Sequence, residues 1–208
     1  MSVQVAAPVR QPRVRLSGAF LGAVLALTLG GCASHYVDGA LKDIDAVTYV
    51  KPATPAPVQV LFDFETKGVS NSRATEALKK QVISQVEASG LFSTAGEKPV
   101  PNGAMLGIKI NNVPVQDDAF SKGVVAGMTF GLAGSQVSDG YICTVNYVMP
   151  GKAPVVKVVR HAIHTTVGAS ASPGNATKAK TLEDAAITMT RQIVGNALND
   201  LSRDPAFN

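Results

Sequence analysis

Tyr141-Ile142-Cys143-Thr144-Val145-Asn146-Tyr147-Val148-Met149 and Val155-Val156-Lys157-Val158-Val159-Arg160-His161-Ala162-Ile163-His164-Thr165-Thr166-Val167 flank a short break, Pro150-Gly151-Lys152-Ala153-Pro154. The two runs are crowded with Val, Ile, Thr and Tyr, side chains that suit a pleated surface. The break has the composition of a turn. Together they read as a hairpin, and the remaining elements are arranged around it.

Upstream, Ala104 to Val113 alternates Leu106, Ile108 and Ile110 on one side with Lys109 and Asn111 on the other. Further back, Val58, Val60, Phe62 and Phe64 share one face of a second alternating run. A period of two predicts a half-buried strand in both places. Between them Asn71 or Ser72 caps a helix whose apolar stripe is Ala74, Leu78, Val82 and Val86 and whose stop is Gly90. The last helix opens with Thr181 and Asp184 in capping-box spacing and carries Leu182, Ala186, Met189, Ile193, Ala197 and Leu201 on one face as far as Asp204-Pro205. The sum is β-α-β-β-β-α. It predicts an α+β domain: an antiparallel sheet of about four strands with two helices on one face.

Ahead of this domain lie two segments of different character. Residues 1–31 have a polar start with Arg10, Arg13 and Arg15, followed by a chargeless run from Leu16 to Gly31. A helix needs ~20 apolar residues to span a bilayer, so the shorter run reads as a signal-peptide core. Residues 32–57 show no sustained period and end in Lys51-Pro52-Ala53-Thr54-Pro55-Ala56-Pro57, which predicts a semi-rigid spacer. The folded domain is expected over residues 58–208, with a glycine-rich insertion at 121–137.

Of 208 residues, 46% are apolar and 16% charged, enough core material for a globular domain. The net charge of +4 is mostly leader, because no Asp or Glu offsets its three arginines; the rest has 16 basic and 15 acidic side chains. Nothing in that balance forms the clustered basic stripe that binds nucleic acid.

Leu29-Gly30-Gly31-Cys32 resembles the lipobox of bacterial lipoproteins. The resemblance implies a diacylglyceryl thioether on Cys32, cleavage before it and acylation of the new amine. Two or three acyl chains exceed what stable anchoring needs. Ala33 stands where the enteric inner-membrane retention signal has Asp, so the implied address is the periplasmic face of the outer membrane. The order of elements over 58–203, with the helix exit Ser89-Gly90-Leu91-Phe92, resembles the lipopolysaccharide-assembly lipoprotein and, less closely, small domains of penicillin-binding-protein activators and the curli-secretion lipoprotein. Fold alone does not give function.

The chain has no nucleophile elbow, Ser-x-x-Lys pair, P-loop or dinucleotide fingerprint. His161 and His164 are three apart in an expected strand and so point to opposite faces, which keeps them from sharing a metal ion by local geometry. They are read as strand-surface or rim histidines, with His35 in the spacer. Cys143 is read as a small buried hydrophobe without a disulfide partner if Cys32 carries lipid, and Asn175-Ala176-Thr177 as polar loop. No catalytic residue, metal or cofactor is expected.

Gly123-Val124-Val125-Ala126-Gly127-Met128-Thr129-Phe130-Gly131-Leu132-Ala133-Gly134 stands apart. Gly123, Gly127 and Gly131 follow two overlapping Gly-x-x-x-Gly spacings, and on a helix Gly134 falls on the same side. Such a groove lets a second backbone approach in lipid. At ~18 Å as a helix the segment is too short to span ~30 Å of hydrocarbon. Three uses remain open: contact with the membrane or a protein partner, the wall of a self-associated ring, and a connector packed on its own sheet. The sequence as a whole points to a lipid-anchored, non-enzymatic accessory of envelope assembly or transport. A glycine-zipper oligomer that inserts into the membrane is the alternative, and an enzyme of unrecognised chemistry comes third.

Overall fold

The computed structural model describes residues 33–101, 103–115, 136–168 and 173–208. The chain divides into two units, Met1–Cys32 and Ala33–Asn208, and the second carries the fold. Its strands are β1 (Ala33–Asp38), β2 (Val58–Thr66), β3 (Val69–Ser70), β4 (Ala95–Gly96), β5 (Ala104–Pro114), β6 (Gln136–Val148), β7 (Val155–Val167) and β8 (Ala176–Ala179). The helices are α1 (Ser72–Ser89) and α2 (Leu182–Ser202), with a 3-10 turn at Ala46–Thr48.

The sheet has eight strands in the order β3-β2-β5-β6-β7-β1-β8, with β4 beside β2. It is mixed: β2 runs parallel to both β5 and β4, and the other pairings are antiparallel. The expected four-stranded antiparallel sheet is therefore corrected, although the α+β class and the two helices stand. The parallel pair has a topological cause. The chain leaves β2, crosses through α1 and returns as β5 in the same direction, as a crossover connection requires. Alternation along β2 and β5 reports burial and is silent on direction.

The spacer reading of 33–57 is corrected as well. β1 inserts between β7 and β8, with Ala33 opposite Val167 and His35 opposite Ala179. Tyr36, Val37, Leu41 and Tyr49, all upstream of Val58, are buried. The strand was hidden because its outward face, Ser34, Tyr36 and Asp38, is mostly polar, so no apolar alternation marks it. β8 was hidden in the same way inside the polar stretch around Asn175.

Both helices pack on one face of the sheet. Asn71 Oδ1 accepts from Ala74 N at 3.1 Å to cap α1, and Gly90 ends it in the left-handed region at φ 67°. Thr181 Oγ1 accepts from Asp184 N at 3.0 Å to start α2. The helices meet where Gln81 and Gln85 donate to the Ile187 and Arg191 carbonyls. Gly195 permits that approach: a Cβ there would stand 3.1 Å from Gln85 Nε2. One core runs beneath them, from Leu78, Val82 and Val86 of α1 and Met189, Ile193 and Leu198 of α2 onto Leu106, Ile108, Ile110 and Val145.

Burying the four side chains contributed by 33–57 stabilises the fold by ~1.5–3 kcal/mol each, against a net domain stability of ~5–15 kcal/mol. A fragment beginning at Ala33 is therefore expected to unfold in one cooperative urea transition followed by circular dichroism. A fragment beginning at Val58 loses that transition, whereas a true spacer could be removed without effect.

Candidate functional site

The face of the sheet opposite the helices has two different halves. In one half, register places Leu61, Gly107, Asn146 and Val156 in a row across four strands, and Asp63, Lys109, Thr144 and Val158 in the next. A groove of about 490 Å³ lies over Leu61, Asp63, Gly107, Lys109, Thr144 and Asn146. It is open to solvent, with Leu61, Val156 and Val158 exposed.

The other half holds a buried polar network. Successive strands bring together Ser138 on β6, His164 on β7 and Asp38 at the end of β1. Ser138 Oγ is 2.7 Å from His164 Nδ1, and Asp38 Oδ2 is 3.0 Å from His164 Nε2. Asp38 Oδ1 also accepts from Ala40 N at 2.8 Å. His164 and Asp38 are inaccessible to solvent, whereas Ser138 is only partly covered. An ionised carboxylate can only accept, so Nε2 donates to Asp38, while Nδ1 and the Ser138 hydroxyl share the second hydrogen bond. The same order of groups serves acyl transfer when the hydroxyl opens onto a substrate cleft. Here it spans three strands and fastens β1 to the sheet.

His161 takes the opposite side of β7. Its Nε2 donates to Gln192 Oε1 at 2.8 Å, and its buried Nδ1 has no partner among the described residues. Burial lowers its pKa, and the Gln192 hydrogen bond only partly opposes this. The rim reading of both histidines is thus corrected: they do face opposite sides of the strand, yet both are fully buried. The second side is covered as well, which a count of alternating residues cannot reveal.

Cys143 is a free, buried thiol in the helix-side core, and desolvation pushes its pKa up to about 12. Cys32 and Gly123, Gly127, Gly131 and Gly134 lie outside the described residues. Asp38 and Ser138 carry no sequence signal, since they are separated from His164 by 126 and 26 positions and match no motif. Among the described residues no three His, Cys, Asp or Glu side chains are grouped to hold a metal ion. No described helix is long and apolar enough to cross a membrane.

No family model matches the chain, and no curated protein matches it in sequence. One similar solved structure is a PelC dodecamer from Paraburkholderia phytofirmans, at 13% identity and a TM-score of 0.33, covering 81% of this chain and 97% of that one. Likeness at that level assigns neither fold nor function.

Two outcomes follow from the buried histidines. Asp38→Ala leaves the His164 Nε2–H buried without its acceptor, and chemical denaturation is expected to register a loss of ~1–3 kcal/mol. The second concerns acid. His161 in the unfolded chain titrates near its ordinary 6.5 and below that in the folded state, so the unfolded chain binds more protons once the pH falls under about 6.5. This contribution to stability is present above that value, declines as the pH drops below it, and levels off beneath the folded pKa. His161→Met is expected to flatten the acid side of the stability profile, below about pH 6.5, relative to wild type.

Proposed function

We propose that this protein is an outer-membrane lipoprotein, anchored on the periplasmic face through Cys32, that acts as a non-enzymatic accessory in envelope assembly or transport. The observation that carries the reading is the adjacency of Cys32 and β1. The residue that the lipobox marks for acylation is followed at once by Ala33, the first residue of an inner strand of the sheet. An ordinary signal peptide leaves the mature start free of such a demand, whereas a lipid on Cys32 makes the first strand part of the attachment. The Asp38–His164–Ser138 network then gives a load on β1 a route into β7 and β6.

The glycine-zipper alternative keeps one specific support. The described residues on either side of the glycine segment, Val115 and Gln136, stand at the same sheet end as Ala33, because Pro114 pairs with Asp139, Gln136 with Thr166 and Ala33 with Val167. The described chain thus stops at Val115 and resumes at Gln136 at the end of the sheet where Ala33 stands.

Cys32→Ser tests the lipoprotein reading. The variant is expected to accumulate as an uncleaved precursor that takes up no labelled palmitate and to leave the membrane fraction; normal processing with retained membrane association refutes it. Replacing residues 123–134 by a short Gly/Ser linker tests the alternative. Loss of detergent-solubilised oligomer mass with an unchanged melting temperature supports a zipper, since loop length changes stability only slowly.

A further inference from the structure

We infer that the sheet end formed by Ala33, Val167 and Val137 is a lipid-facing surface that rests on the bilayer, an orientation that depends on the lipoprotein reading of Cys32. Consecutive Cα atoms are about 3.8 Å apart, so an acyl-bearing residue 32 puts the first residue of β1 within a few ångströms of the lipid. No slack remains to lift the domain away, because Ala33 is already paired to Val167 of β7. The strand ends around it fit the contact. Val137 is 61% exposed and Val167 45%, and they occupy the ends of adjacent strands, β6 and β7, on one side of the sheet. Leu182, 51% exposed, opens α2 three residues after Ala179, which pairs with His35. Exposed Lys178 and Lys180 flank the same edge. Glu183 beside Leu182 is exposed too, so the edge carries two lysines against one acid, and apolar side chains next to such an edge match the boundary between acyl chains and anionic headgroups.

β7 also supplies an internal ruler. Its 13 residues rise about 3.3 Å each, so the β6–β7 turn at Lys152 lies about 40 Å from Val167, beyond the reach of a quencher in the near leaflet. Single cysteines at Val137, Val167 and Lys152 can be labelled selectively, since Cys143 is buried and, on this reading, Cys32 is acylated.

The full-length lipidated protein would be reconstituted in phosphatidylethanolamine/phosphatidylglycerol vesicles with or without acyl-brominated phosphatidylcholine, with a fluorophore at each site in turn. Bromine should quench the probes at 137 and 167 about twofold and leave the probe at 152 unchanged. Three results overturn the inference. Equal quenching at all sites, or none at 137 and 167 on protein that carries lipid by mass spectrometry and floats with the vesicles, refutes the orientation alone. A blue shift at 137 and 167 without bromine quenching assigns that end to a protein contact. Protein without lipid on Cys32 refutes the lipoprotein reading, and the orientation falls with it.

Discussion

The fold depends on β1 being held between β7 and β8. Without it β8 loses its only partner among the described strands, and β7 becomes an edge with a long row of open hydrogen-bonding groups, the configuration that templates aggregation. Backbone pairing sets the position of β1, and Asp38 reaching His164 fixes its depth. A strand slipped by one residue would turn Asp38 toward the helix-side core and leave His164 Nε2 without its carboxylate acceptor, so the network also enforces register.

On the proposed lipoprotein reading, that constraint would link stability to the attachment of the chain. A lipoprotein with a long linker separates the mechanics of anchoring from those of folding. With a lipid on Cys32 the two would meet in one strand, and a force on residue 32 would act along β1 against its neighbours, in the direction where a ladder of hydrogen bonds resists together. The buried His164 and Asp38 join β7 to β1 on the face away from the helices. His161, on the opposite side of β7, joins the same strand to α2 through Gln192, so β7 is pinned on both faces.

The sheet face away from the helices is graded, closed around His164 and open around Gly107. In the open half the row Leu61, Gly107, Asn146 and Val156 mixes apolar and polar groups over a floor that lacks a side chain at Gly107. Antiparallel pairings tolerate such one-sided solvation, and the long hairpin of β6 and β7 supports both halves.

Strong local periodicity determined the elements that the sequence revealed. The alternation of β2 and β5, the β-rich composition of β6 and β7, the stripes of α1 and α2, the caps at Asn71 and Thr181 and the stop at Gly90 follow from contacts within a few residues, which the chain writes in order. The burial of Cys143 followed from its strand neighbours in the same way. Tertiary structure alone decided the rest. β1 and β8 are short, polar on one side and defined by partners more than a hundred residues away, so no local pattern announces them. The parallel pairing of β2 and β5 comes from the path through α1. The network of Asp38, Ser138 and His164 exists only because three strands distant in sequence align their outward faces. Periodicity records which side of an element is buried; the partner that buries it, and the polar group that partner brings, are set by the closure of the whole sheet.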